Sequence, residues 1–134
     1  MSQENVEVVR RGQQAFSHGD LSPAEAMVDD DVDWGTLGDF PGLETSYRGP
    51  QGLDRWMDAV RAEWESFEVS IDEVIRDEGD VIVIAESLRG RGRESGAEVE
   101  MVIFSTYWFR EGKITKRRVF TSREQALEAA RRPG

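Results

Sequence analysis

The sequence predicts an α+β domain in which helices come first and an antiparallel sheet follows. Apolar residues recur every three or four positions over Ser2–Ser17 and Pro50–Ser66, as amphipathic helices require. Phe67–Arg76, Val81–Arg93 and Met101–Thr121 instead alternate or run apolar between Gly-containing turns, as strands do. The length of 134 residues suits one domain over residues 1–134.

Helical and extended segments alternate in the first 35 residues. The helix Ser2–Ser17 ends where Gly19 can supply a left-handed residue. A second, short helix is predicted over Ser22–Val28, because Pro is favoured at a first helical position. Val32–Trp34 is then predicted to form a short strand.

The stretch Gly35–Gly49 is irregular, with four glycines and one proline in fifteen residues. Loops of this length are usually functional or disordered, and its apolar members favour an ordered cover over a site. The helix Pro50–Ser66 follows it. At the other end of the chain, a short helix begins at Ser122, with Gln125 as the capping partner.

The hairpin Met101–Thr121 is the centre of the predicted sheet. Glu111-Gly112 forms its two-residue turn, which needs positive φ and pairs Arg110 with Lys113. Regular alternation then gives each face its own set of side chains. One face carries Ile103, Ser105, Tyr107, Lys116, Arg118 and Phe120, and the other carries Val102, Phe104, Thr106, Trp108, Arg117 and Val119.

Charge pairing predicts the register of the preceding strand. Placing Arg91 opposite Glu98 and Arg89 opposite Glu100 forms two favourable cross-strand pairs. This register puts Glu86 on the same face as Ser105 and Arg118. A slip of one residue would reverse the assignment.

Composition excludes several functions. The formal charge of −10 and the pI of about 4.6 disfavour nucleic acid as a partner. Without cysteine there are no disulfides or thiolate sites, and no apolar run approaches the ~20 residues of a membrane span. The N-terminus lacks the pattern of a secretory signal, so we expect a cytoplasmic protein. Neither a metal-ligand cluster nor a nucleotide-binding fingerprint is present, so no metal or cofactor is expected.

The order of elements and four local phrases resemble the NTF2-like superfamily, and within it the SnoaL-like, polyketide-cyclase-like branch. The phrases are NVEVVRRGQQAFSHGDLS, DDDVDW, YRGPQGLDRW and FREGKITKRRVF. The resemblance covers nearly the whole chain. It implies a cone-shaped roll, with three N-terminal helices packed on a strongly curved, mainly antiparallel sheet and a short C-terminal helix.

The resemblance also implies an internal pocket and a homodimer. The pocket would hold a small molecule between helices and sheet, lined by Phe16, Trp34, Tyr47, Trp56, Glu86, Ile103, Ser105, Tyr107, Arg118 and Phe120. The dimer would form through the outer sheet face, at Phe104, Thr106, Trp108 and Val119.

Neither acid/base set of these relatives is intact in this chain. SnoaL-like cyclases use an Asp–His arrangement, whereas His18, the single histidine, sits at the exit of the first helix and suits a C-terminal cation. Ketosteroid isomerases place a Tyr on the first helix and an Asp on a pocket strand. Here Arg11-Gly12-Gln13 and Ser105 occupy those regions.

The strongest candidate site is therefore Glu86, Ser105 and Arg118, which project into one cavity on the predicted register. Three interpretations stay open: a structural Glu86–Arg118 ion pair, a site where Arg118 binds a carbonyl or carboxylate, and a catalytic site with Glu86 as base. Asp39, in the loop, could swing over the pocket as a base, and Asp33 is a weaker candidate that faces solvent.

The predicted function is binding of a small, partly apolar, carbonyl- or carboxylate-bearing molecule. Any reaction would be cofactor-free proton transfer, as in isomerases, cyclases or dehydratases. The alternative is a non-catalytic dimerising module whose pocket is filled by its own side chains.

Overall fold

A computed structural model of the chain describes residues 2–19, 25–36 and 45–133. Three helices and six strands lie in this part of the chain. In order they are α1 (Ser2–Ser17), β1 (Val28–Gly35), β2 (Ser46–Arg48), α2 (Gly49–Glu63), β3 (Trp64–Asp77), β4 (Val81–Gly92), β5 (Glu98–Arg110), β6 (Lys113–Phe120) and α3 (Arg123–Ala129).

The six strands form one sheet in the order β2-β1-β6-β5-β4-β3. Strands β3 to β6 are an antiparallel meander, as predicted, and β1 joins β6 in parallel. The register shifts at three points between β3 and β4, and such bulges bend a strand. Helices α1 and α2 pack on the inner face of this sheet, where the apolar core lies.

Some of the predicted helix boundaries are confirmed and others differ from the structure. Helix α1 has its predicted limits, and Ser122 accepts a hydrogen bond from the backbone N–H of Gln125, as its capping role requires. Helix α2 ends at Glu63, three residues early, because Trp64 is already extended and opens β3. The prediction that Val28 ends a helix is wrong, because it begins β1.

The stretch Gly35–Gly49, predicted as the least regular segment of the chain, is regular at both ends. Gly35 closes β1, and Ser46–Arg48 pairs with β1 as the edge strand β2. Residues 20–24 and 37–44 lie outside the described residues. They include the first three residues of the predicted second helix and the candidate base Asp39.

The β4–β5 register is the predicted one, with Arg89 opposite Glu100 and Arg91 opposite Glu98. Arg91 and Glu98 approach to 2.8 Å. Glu86 therefore shares the inner face with Ser105, as the charge pairing indicated.

The predicted β5–β6 register is wrong beyond the pair of Phe109 and Ile114. The turn is as predicted, with positive φ at Glu111 and Gly112, and Phe109 faces Ile114. The next pair, however, is Trp108 with Lys116, because Thr115 is an extra residue in a β-bulge. Every residue beyond it changes face.

The consequence of the bulge is that Arg117, not Arg118, points inward beside Tyr107. Lys116, Arg118 and Phe120 lie on the outer face, and Val119 packs against the inner core.

The outer face is covered in part by this chain's own α3. Thr106 donates a hydrogen bond to the carbonyl of Ala126, and the Trp108 indole donates one of 2.9 Å to the carbonyl of Arg132. Both side chains are buried within a single chain. The predicted interface set of Phe104, Thr106, Trp108 and Val119 is therefore wrong as one open surface, because Thr106 and Trp108 are covered and Val119 faces inward.

None of the described helices is long and apolar enough to cross a membrane.

Candidate functional site

A small cavity lies on the inner side of the sheet, under α1 and α2. It measures about 40 Å³, which is room for a few water molecules. Apolar side chains form most of its wall and four polar ones join them. The lining residues are Val8, Val9, Gly12, Gln13, Phe16, Met27, Val28, Trp34, Leu53, Trp56, Val69, Glu86, Tyr107, Ile114 and Arg117.

Glu86 is the hub of the polar part of this wall. Its side chain has no solvent exposure, and it accepts hydrogen bonds from Gln13, Ser105 and Tyr107. Arg117 approaches the same carboxylate to 3.6 Å. Four donors therefore converge on two carboxylate oxygens, which leaves Glu86 little capacity to accept a further hydrogen bond from a ligand.

Arg117 is the buried cation that balances this carboxylate. Its Nε donates to the Tyr107 hydroxyl at 3.2 Å, and its Nη1 donates to the carbonyl of Gly35 at 2.9 Å. Its guanidinium carbon also lies 4.7 Å from the centre of the Trp34 ring, a cation–π contact. Because an isolated buried charge is very costly, the Glu86–Arg117 pair must stay intact for either group to remain inside.

Tyr107 links the two charges and stays protonated. Burial raises the pKa of its phenol, and the Glu86 carboxylate adds to that effect, while Arg117 opposes it. The hydroxyl can therefore donate to Glu86 while accepting from Arg117 at neutral pH. Burial by itself would lower the pKa of Arg117, but the neighbouring Tyr107 and Glu86 oxygens more than offset this and raise it.

The close approach of β1 to β6 depends on Gly35. A Cβ at this position would lie 2.5 Å from the backbone oxygen of Arg117, which no real side chain tolerates. The absence of a side chain lets the Gly35 carbonyl reach the guanidinium of Arg117. The backbone carbonyl of Gly35 thus fixes the position of the buried Arg117 guanidinium.

Two tryptophans that line the cavity have an indole N–H with no hydrogen-bond partner among the residues that the structure describes. The Nε1 atoms of Trp34 and Trp56 are buried and unpaired within the described part of the chain. The two rings are neighbours, with centroids 5.4 Å apart, and Phe16 stacks on Trp56 at 4.6 Å. Buried N–H groups without an acceptor are rare in native proteins, so this pair needs an explanation.

The structure brings together about half of the predicted pocket residues. Phe16, Trp34, Trp56, Glu86 and Tyr107 line the cavity. Three others are buried close to it without forming its wall, namely Tyr47, Ile103 and Ser105. The placement of Arg118 and Phe120 in the cavity was wrong, because the bulge turns both to the outer face.

Arg118 instead forms a second ion pair on the outer face. Its Nη2 lies 2.6 Å from Asp33, and Arg48 approaches the same carboxylate to 3.9 Å. The hydrogen bond from Arg118 lowers the pKa of Asp33, and the positive charges of Arg118, Arg48 and Lys116 add to it, against a smaller opposing effect of burial. Asp33 thus faces away from the cavity, as expected, but it is tied to arginine rather than free.

His18 does not line the cavity. Its exposed ring lies 2.7 Å from the carbonyl oxygen of Gln14 at the end of α1, where a cation is favourable. Across residues 2–19, 25–36 and 45–133, no three His, Asp or Glu side chains converge as metal ligands would.

Sequence reasoning missed Arg117 and Gln13. One signal for Arg117 was available: Ile114 and Val119 are both apolar but five residues apart, so a regular strand cannot bury both on one face. A bulge between them resolves the conflict and turns Arg117 inward. Gln13 did carry a signal, because it lies four residues after Val9 and three before Phe16, on the apolar face of the first helix.

This arrangement of α1 and α2 on a curved sheet around a cavity defines the NTF2-like class of folds, and solved structures agree. An NTF2-like protein from Burkholderia pseudomallei, itself of unknown function, superposes with a TM-score of 0.78 at 19% identity, over 95% of this chain and 97% of that one. A putative SnoaL-like polyketide cyclase from Jannaschia sp. gives 0.73 at 17% identity, over 99% and 95%. An epoxide hydrolase of the LEH-like kind from M. tuberculosis gives 0.71 at 16%, over 96% and 90%.

The family model of the SnoaL-like domain matches residues 9–117. The chain therefore belongs to the SnoaL-like family. No curated protein sequence matches it. Identities this low establish the fold and leave the activity to the site itself.

Proposed function

We propose that this chain binds a small, partly apolar molecule bearing a carbonyl or carboxylate group in the cavity between α1, α2 and the sheet. The enclosed Glu86–Arg117 pair in the cavity wall carries the proposal. Replacing a buried ion pair with well-packed apolar residues is often neutral or stabilising, so folding alone does not require one here. A wall that is otherwise apolar, with a few convergent polar groups, is the usual form of a ligand site.

Size limits the ligand. A cavity of about 40 Å³ accepts only a compact molecule without rearrangement. A larger ligand would have to move a wall residue, and Phe16, stacked on Trp56, is the aromatic residue that α1 contributes there.

Binding is better supported than proton transfer. A base must be free to take the substrate proton, whereas Glu86 already receives hydrogen bonds from Gln13, Ser105 and Tyr107. Isomerase, cyclase or dehydratase chemistry would require one of these donors to leave first. We therefore assign Glu86 the role of holding Arg117 and Tyr107 in position beside the ligand.

The homodimer and the cytoplasmic location stay predictions. Of the four interface residues expected from the sequence, Phe104 keeps partial exposure on the outer face, and Val102 beside it is 48% exposed. A partner would have to meet this edge of the outer face rather than Trp108, which α3 covers.

Filling the cavity tests the proposal. Gly12 lines it, and a Cβ at that position meets no atom within 4 Å. We expect millimolar acetone or acetate to raise the melting temperature of the wild type, because a ligand of the folded state stabilises it. The Gly12→Leu variant should fold and lose that response.

The matched control is Gln14→Leu, which adds the same side chain at an exposed position of α1 that does not line the cavity. It should respond like the wild type. If none of the probes raises the melting temperature, or if Gly12→Leu responds like the wild type, this cavity is not the binding site.

A further inference from the structure

Phe16 lies between the inner cavity and a groove on the surface of the protein. Its side chain is 7% exposed and forms part of the cavity wall. The same residue lines a groove of about 280 Å³ at the end of α1, beside the end of α2 and the start of β3. Of the residues that the structure describes, Phe16 alone lines both spaces. Its ring is therefore the partition between them.

The ring is held in this position by an aromatic contact on each side. It stacks on Trp56 of the cavity wall, with centroids 4.6 Å apart and an angle of 10° between the planes. It also meets Phe67 of the groove edge-on, at 5.5 Å and 89°. Trp56 does not line the groove, and Phe67 does not line the cavity. The closed position of the ring thus depends on one aromatic neighbour from each space.

The groove offers the ring a second apolar environment. Met57, Val60 and Trp64 are buried in the wall of the groove, beside Phe67. A ring that turns onto these side chains exchanges one apolar contact surface for another, so little apolar area becomes exposed to water. An aromatic residue in a helix has two common χ1 rotamers, so the backbone of α1 permits a second direction for the ring.

The backbone around Phe16 is fixed, so the ring can turn while the helix stays in place. The N–H of Gly19 donates to the carbonyl of Phe16 at 3.0 Å, and Arg61 of α2 donates to the carbonyl of Gly19. Arg93 in turn donates to the carbonyl of Arg61 at 3.0 Å. These bonds tie the end of α1 to α2, which leaves the side chain of Phe16 as the movable part.

From this geometry we infer that Phe16 is the gate of the inner cavity: its ring turns toward the groove, and a small molecule enters between α1, α2 and the start of β3. The inference rests on the proposed function for the molecule that enters. It adds the route of entry and the residue that controls it.

The competing route lies at a different part of the wall, where Val8, Gly12 and Met27 are half-buried between α1 and the start of β1. Val8 is β-branched and therefore stiff in a helix. The carbonyl of Met27 accepts a hydrogen bond from the backbone N–H of Ile114, which fixes the chain there. On this route the Met27 side chain would be the part that moves.

Thiol labelling measures access to the cavity without any ligand. The chain has no cysteine, so Val9→Cys, at a wall position that is 3% exposed, introduces a single thiol. Mass spectrometry follows its reaction with methyl methanethiosulfonate in the absence of urea and at low urea concentrations. Labelling through a gate should not depend on urea, whereas labelling through global unfolding accelerates with it.

In the Val9→Cys background, Phe16→Ala should accelerate the urea-independent labelling by about tenfold, because it removes the stacking that holds the ring closed. Phe16→Leu should accelerate it by a smaller factor and keeps an apolar side chain in the wall if alanine impairs folding. The matched control is Phe104→Ala, the same truncation on the outer face of the sheet, where Arg123 lies over the ring. It should leave the rate unchanged.

Three results would overturn the inference: labelling of Val9→Cys that depends entirely on urea, a urea-independent rate that neither Phe16 variant changes, or acceleration by Met27→Ala in place of the Phe16 variants. The proposed function fails by a different measurement. If the Phe16 variants accelerate labelling but acetone and acetate do not raise the melting temperature, the gate stands and the proposed ligand class is wrong.

Discussion

Arg117 and Arg118 are adjacent in β6, yet they lie in opposite environments. Arg117 is buried on the inner face with Glu86, Tyr107 and the Gly35 carbonyl. Arg118 lies on the outer face against Asp33, and a third of its side chain remains exposed. Two arginines thus form two ion pairs, one enclosed and one partly in water.

From this difference we expect burial, rather than distance, to decide how much each ion pair contributes to stability. The outer pair is the closer of the two, at 2.6 Å against 3.6 Å. Water can still replace either outer partner, whereas nothing can replace Arg117 or Glu86 inside. We therefore expect the longer contact to be the more important one for folding, because breaking a buried pair leaves a charge uncompensated.

The largest expected effect comes from Arg117→Met. It should lower the free energy of unfolding by about 3–5 kcal/mol, because Glu86 is left buried without its cation. Urea unfolding measures this. The double variant Arg117→Met/Glu86→Leu should recover a large part of the lost stability. If Arg117→Met alone is as stable as the wild type, the buried pair does not contribute to stability.

Removal of one inner hydrogen bond should have an intermediate effect. Ser105 is fully buried and donates to Glu86, so Ser105→Ala should cost about 1–3 kcal/mol of unfolding free energy. Ser87→Ala is the matched control, because Ser87 also donates to a carboxylate, that of Asp72, but on the exposed side. Ser87→Ala should lower the free energy of unfolding by less than about 0.5 kcal/mol. Equal losses in the two variants would contradict the expectation that the buried hydrogen bond matters more than the exposed one.

On the outer face, Arg118→Met should cost only about 1 kcal/mol, the upper end for a partly exposed pair. Added salt should shrink the difference from the wild type, because it screens exposed charges. The Arg117→Met difference should hardly depend on salt. Denaturation at low and at high sodium chloride distinguishes the two, and an Arg118→Met loss as large as that of Arg117→Met would place the important arginine on the outer face after all.

The smallest effect is the pH dependence of the outer pair. Arg118 lowers the pKa of Asp33 in the folded state, so the pair stabilises the fold above the unfolded value of about 3.9. This stabilisation is lost as pH falls through the lower folded value. The stability difference between wild type and Asp33→Asn should therefore be constant from about pH 7 to 5 and shrink below about 4. A difference that grows in acid would have the wrong sign for this pair.

Much of the fold could be predicted because its signals are local. The period of α1, the turn at Glu111-Gly112 and the Ser122 cap each depend on a few neighbouring residues, and the structure has all three. The β4–β5 register was also predictable, because Arg89 and Arg91 each had one acidic partner that fitted.

The site was harder to predict because it depends on one extra residue. The residue type of Thr115 does not mark a bulge; only the odd spacing of Ile114 and Val119 indicates one. A regular strand from Ile114 puts Arg118 where Arg117 lies. A glutamate–arginine pair was one of the three interpretations left open for the site, and such a pair forms, but with Arg117 in place of Arg118. The helical spacing of Gln13 indicates that it faces inward but not which residue it contacts. The Gly35 carbonyl comes from an element far away in sequence, so no local pattern places it on Arg117.

The position of α3 has a consequence for handling the protein. Ala126 and the carbonyl of Arg132 close over Thr106 and Trp108, and the connection from β6 to α3 is the short stretch around Thr121 and Ser122. A protease that cut there would release the cover and leave a strip of apolar sheet open to water. The cleaved protein should then precipitate or self-associate. We therefore expect the protein to remain in solution longer when α3 and the residues after it are intact.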